Sequence, residues 1–125
     1  MVVGAVAPRH QARALAHELD AHQLRFEPLH WISKHARVYD AYSPLGRQIY
    51  FKYIKSGLLD KGVDALWMDG TEIEVSSAMW NAQDNIRDTK ALGRNALGDF
   101  TRYLSPYSLL TTQGTYDGER ATSEL

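Results

Sequence analysis

The chain has 125 residues, 14 of them basic and 15 acidic, giving a formal charge of −1. That balance lacks the basic excess of an electrostatic nucleic-acid binder, and no window holds the ~20 apolar residues of a membrane helix. Cysteine is absent, which removes disulfides, thiolate nucleophiles and Cys-ligated metal centres. With 44% hydrophobic and 23% charged residues the composition is ordinary for a single globular domain, taken as residues 1–125.

The apolar start, Met1 to Ala7, has no basic n-region and stops at Pro8. It reads as a buried strand or frayed start more readily than as a secretory signal, and the compartment stays open. Residues 9–22 are rich in helix formers, with Ala12, Leu15, Ala16 and Leu19 at the i, i+3, i+4, i+7 spacing of an amphipathic helix. The alternation in residues 24–32 predicts a short strand, which Pro28 pushes to an edge or ends.

A second helix is expected to start at Ser43-Pro44, serine capping the free amides and proline filling the first helical position. Tyr50, Tyr53, Ile54, Gly57 and Leu58 form its apolar stripe, while Phe51 lies off the stripe and is expected to meet a neighbouring helix. Gly62 is placed to end this helix in a left-handed conformation. Val63 to Met68 follows, apolar at nearly every position, as expected of a parallel strand covered on both faces. Helix, glycine turn and buried strand make half of an α/β unit. Residues 76–98 are polar and punctuated by Gly93, which predicts a functional loop with short helical pieces at best. Phe100, Tyr103, Leu104, Tyr107 and Leu110 return to helical spacing, with Pro106 expected to kink the helix or shift its start to Ser105, and a stop before Gly114. The tail from Thr115 has little apolar content.

In parallel α/β folds, ligands bind at the carboxyl ends of the strands. Asp69 is the first polar residue after the apolar run, with Glu72 and Glu74 close behind and Trp67 beside it. A carboxylate held there is suited to act as nucleophile, general base or metal ligand; the alternative is a strand-terminal Asp that caps the next turn. The five histidines all lie within the first 35 residues and form no HExxH pattern, so no metal site is expected. No glycine pattern of a nucleotide-binding loop is present. Trp31, Trp67 and Trp80 are either sugar-stacking or packing residues.

Four stretches in order carry a resemblance. Tyr39-Asp40-Ala41-Tyr42-Ser43-Pro44 is similar to "YDAFNP". Lys61-Gly62-Val63-Asp64-Ala65-Leu66-Trp67-Met68-Asp69-Gly70-Thr71-Glu72 is similar to "KGIDAWWLDATE". Ala96-Leu97-Gly98 with residues 103–110 resembles the helix that follows, and Gly114 to Ala121 resembles "GVYEGQRA". Over residues 36–122 the chain therefore resembles glycoside hydrolase family 31, the α-glucosidase and α-xylosidase family. More faintly, residues 15–32 are similar to the preceding helix and strand.

The resemblance implies an α/β fold, a partial (β/α)8 TIM-barrel segment of parallel strands with flanking helices. It also implies retaining hydrolysis of α-glucosidic or α-xylosidic bonds, with a carbohydrate substrate and neither metal nor organic cofactor. Asp69 matches the nucleophile of the family's WxDxxE motif. Glu72 matches its trailing acid, in an orienting role, and Trp67 and Asp40 are candidates for the substrate rim. Three departures stand beside this. No residue here matches the family's acid/base Asp, a full barrel needs ~250 residues, and the loop before Tyr39 is shorter than is usual in the family. The expectation is a fragment, inactive alone, that self-associates through exposed barrel edges. The competing expectation is a non-catalytic sugar-binding or interaction remnant with a small α/β fold.

Overall fold

The computed structural model of the chain describes residues 9–26, 38–73 and 82–122. Helix α1 (Arg9–Ala21) buries Leu15 and Leu19, two of the residues on its expected stripe. It ends in a Schellman closure: Gln23 takes the left-handed conformation (φ 56°), Leu24 N–H donates to Leu19 O at 2.8 Å, and Gln23 N–H donates to Asp20 O at 3.0 Å. Strand β1 (Arg25–Phe26) then pairs with β2 (Val38–Tyr39), Arg25 opposite Tyr39 and Phe26 opposite Val38. Of the strand expected over 24–32, the described part is this antiparallel bridge; residues 27–32, with Pro28, lie outside the described residues.

Helix α2 (Pro44–Gly57) is the central element. Ser43 has extended backbone and its Oγ accepts the Gly46 N–H at 3.3 Å, with Pro44 at the first helical position, as the sequence predicts. Tyr50, Ile54 and Gly57 are buried along the expected stripe, together with Ile49 and Phe51. Helix α1 packs on one side, tied by the Lys52–Glu18 ion pair at 2.7 Å and by the Tyr53 hydroxyl, which donates to Glu18 at 2.9 Å. Lys52 is well exposed, so solvent screens this tie and it contributes little to stability.

Helix α5 (Tyr107–Thr122) packs on α2 as well. Gly118 lies against the ring of Phe51, so the residue left off the α2 stripe does meet a neighbouring helix. A Cβ at Gly114 would come within 2.8–3.1 Å of the Arg47 stem. Small residues at 114 and 118, with Thr111 and Thr115 buried between the turns, let the two backbones approach closely. This interface overturns the expected stop before Gly114. The helix continues through both glycines to Thr122, because packing against α2 outweighs their poor helix propensity. Ahead of it, helix α4 (Phe100–Tyr103) is capped by Asp99 and breaks before Pro106, the discontinuity the proline predicts.

Helix α3 (Ala82–Ala91) occupies a region expected to hold only short helical pieces. Burial of Asp88, Thr89 and Leu92 holds it to the body. It leads into an antiparallel pair, β3 (Arg94–Asn95) and β4 (Gly98–Asp99). The core joins these parts through aromatic rings: Tyr39 stacks on Tyr50 at 4.5 Å, Tyr107 meets Tyr39 edge-on at 5.9 Å, and Tyr42 does the same to Phe100.

Among the described residues both ladders are antiparallel, and the parallel pairing expected of residues 63–68 is not seen. A parallel strand apolar on both faces needs layers packed over those faces as well as strands paired along its edges. Among the described residues, none lies beside this one. What is described is a helix-rich body with small antiparallel bridges.

Candidate functional site

The segment carrying Asp69 begins where α2 ends. After a 3-10 turn (Leu59–Lys61), Gly62 adopts φ 88° and ψ 23°, and its N–H donates to Leu59 O at 3.0 Å. Gly62 takes the expected left-handed conformation, but it closes this 3-10 turn rather than α2, which already ends at Gly57, and it redirects the chain into Val63 to Asp69. Along that stretch Leu66 and Met68 are half-buried, Leu66 against the edge of the core, while Trp67 is 91% exposed and Asp69 is exposed. Exposed Trp67 and Asp69 thus alternate with half-buried Leu66 and Met68.

Gly70 then turns with φ 63°, a conformation open to glycine at little cost. Thr71 is buried beyond it, at 6% exposure, and Glu72 is exposed again. The carboxylate at 69 is thus held between two fixed points, half-buried Met68 before it and buried Thr71 after it. Glu74, Trp31 and Trp80 lie outside the described residues.

Asp40 has a different setting. It is 4% exposed, and its two oxygens accept backbone amides from Tyr42 at 3.0 Å and Ala96 at 2.9 Å. Burial raises its pKa above the ordinary carboxylate range, an effect these amides and the nearby Arg47 guanidinium partly offset. Arg47 itself donates to Ala41 O at 2.7 Å. Asp40 therefore joins the entry of α2 to the β3–β4 turn, which Asn95 closes by accepting the Leu97 and Gly98 amides through Oδ1. Sequence reading missed Asn95 and the Ala96 link. The Asn95 turn has a local signal, an Asn three residues before a glycine of positive φ. The Asp40–Ala96 contact spans 56 positions and has none.

Among the described residues no group of three His, Asp or Glu side chains is placed to hold a metal ion. The exposed pair Trp67 and Asp69 is chemically suited to a sugar: an indole face for the apolar face of the ring, and a carboxylate for an electrophilic carbon.

Comparison with known proteins gives a consistent neighbourhood. The family model described as the glycosyl hydrolases family 31 TIM-barrel domain matches residues 8–124. An alpha-xylosidase of Saccharolobus solfataricus is 31% identical over 77 residues, covering 62% of this chain and 10% of that protein. The crystal structure of a family 31 alpha-xylosidase from Xanthomonas citri superposes with a TM-score of 0.71 at 36% identity, covering 88% of this chain and 12% of that one. The chain thus spans about a tenth of the length of the relatives it matches.

Proposed function

This chain belongs to glycoside hydrolase family 31, within the TIM-barrel domain of that family, and from that footing we propose that it carries the nucleophile segment of an α-glycosidase acting on α-xylosidic or α-glucosidic bonds. In this reading the Asp69 carboxylate attacks the anomeric carbon, forming a glycosyl ester as the bond to the leaving oxygen breaks. A second carboxyl protonates that oxygen, and water then hydrolyses the ester with net retention. Glu72 orients the site across the Gly70 turn, and Trp67 offers a stacking face to the sugar. Asp40 acts from beneath the rim, by holding the turn that follows α3.

The observation that carries the reading is the motif Trp67-x-Asp69-x-x-Glu72 on an exposed segment fixed on both sides of Asp69. Two relatives named alpha-xylosidase favour a xyloside over a glucoside. No residue of this sequence matches the family's acid/base position. The chain by itself is therefore expected to lack the general-acid contribution, typically 10²–10⁴-fold.

Turnover of p-nitrophenyl α-xyloside and α-glucoside, with Asp69→Asn alongside, tests the proposal. Whatever turnover the chain supports should vanish in Asp69→Asn and be greater on the xyloside. Turnover that Asp69→Asn leaves intact would overturn it.

A further inference from the structure

The stretch of chain that leaves Asp69 and leads to α4 is tied down at both ends. At the near end Thr71 is buried and Ile73 packs on the edge of the core. At the far end Asn95 Oδ1 accepts the Leu97 and Gly98 amides, and Phe100 N–H donates to Gly93 O at 3.0 Å, which closes the β3–β4 turn on itself. Ala96 N–H instead donates out of that turn, to Asp40 Oδ2 at 2.9 Å. These contacts are internal to the chain and do not depend on what surrounds it.

In a TIM-barrel domain, such as the one this chain matches, the loops that lead from strands into helices form one face, and that face carries the chemistry. Asp40 stands just ahead of α2, and residues 70–99 lead from Asp69 towards α4 and α5, so both belong to such loops. We propose that Asp40 is a positioning residue of the glycosidase site: by clasping Ala96 it fixes the loop that carries Glu72 relative to Asp69. The proposal rests on the roles given above to Asp69 and Glu72, and adds a residue that touches no sugar. Fixing the far end of a loop removes conformational freedom from its whole length, and a site group works only when held within about 0.5 Å of its productive place. The two bonds also explain why an acid stands at this position. Oδ1 is committed to the Tyr42 amide at 3.0 Å, in the turn into α2, which leaves Oδ2 for Ala96. Asparagine has a single acceptor oxygen, and its NH2 group cannot accept from Ala96. Asp40→Asn therefore cuts the clasp and keeps the local Tyr42 bond.

The chain has no cysteine, so one introduced thiol reports on one place. Thr71→Cys puts a probe of similar size at a position 6% exposed on the loop, and Ile54→Cys, at 7% in α2, reports opening of the whole body. The rate at which each reacts with a water-soluble aromatic disulfide is measured with and without Asp40→Asn. The clasp predicts that Asp40→Asn speeds reaction at residue 71 by about tenfold or more, as loss of one charge-assisted hydrogen bond implies. Reaction at residue 54 should change by less than about twofold. Where circular dichroism shows that Thr71→Cys fails to fold, Leu92→Cys, buried at the end of α3 on the same loop, takes its place with the same prediction. An unchanged rate on the loop would overturn the proposal. So would equal acceleration at both positions, because Asp40 would then support the fold as a whole. Thiol rates do not involve turnover, so failure of the clasp is distinct from failure of Asp69 as nucleophile, which shows as turnover that survives Asp69→Asn.

Discussion

Asp40 commits both carboxylate oxygens to backbone amides that belong to segments far apart in the chain. Removing them leaves the buried Tyr42 amide and the partly buried Ala96 amide without acceptors, at a cost of about 1–3 kcal/mol. Asp40→Ala should therefore lower the urea midpoint clearly, and Asp40→Asn, which keeps one acceptor oxygen, should lower it less. An Asp40→Ala midpoint equal to the wild type would show that the amides find other partners. The pH dependence has a defined sign. Because burial raises the folded-state pKa, folding favours the protonated form, and ionisation destabilises the fold above that pKa. As pH falls from 7 toward about 4, the wild type should gain stability relative to Asp40→Asn. The opposite drift would mean that Arg47 and the amides outweigh desolvation. At the neighbouring cap, Ser43→Ala should cost about 1 kcal/mol in the same unfolding assay; no change there would mean that Pro44 alone starts α2.

At the scale of elements, the α2–α5 interface decides how the described body holds together. A methyl group at Gly118 would run into the ring of Phe51. Gly118→Ala should thus destabilise the chain by about 1–3 kcal/mol, although alanine is the better helix former. Trimming the ring with Phe51→Leu should recover part of the loss in the double variant, a coupling expected of residues in contact. Strict additivity in thermal melts would contradict the packing. The same interface explains what the sequence made legible. Ser43-Pro44, Gly62 and Pro106 are punctuation whose effect is local: Ser43-Pro44 starts α2 as the sequence predicts, Gly62 is left-handed but closes the 3-10 turn after α2, and Pro106 breaks the run with α5 starting at Tyr107 rather than Ser105. The run of α5 past Gly114 depends on a partner helix some 60 positions earlier, and no local rule reports that. Residues 63–68 fail in the complementary way. Their pattern is that of a doubly covered strand, but pairing needs neighbours, and none is described beside them.

For the whole molecule, the family is fixed by the match over residues 8–124, while this chain covers about a tenth of its relatives' length. The motif proposed for the site was legible because it is short: Trp67, Asp69 and Glu72 fall within six residues, with Gly62 ahead of them and Gly70 between Asp69 and Glu72. Asp40 was legible as a conspicuous acid in a recognisable turn. Its link to Ala96 was not, because tertiary contacts leave no spacing rule. Asp69 is proposed to occupy the nucleophile position of a family 31 barrel. The most direct measurement is α-xyloside turnover by a chimera, in which residues 36–122 of this chain replace the matching segment of the Xanthomonas citri alpha-xylosidase. The chimera should turn over substrate, and Asp69→Asn within it should abolish turnover by about 10³-fold or more while leaving folding intact. Turnover in the Asp69→Asn chimera equal to that of its parent would exclude Asp69 as the nucleophile.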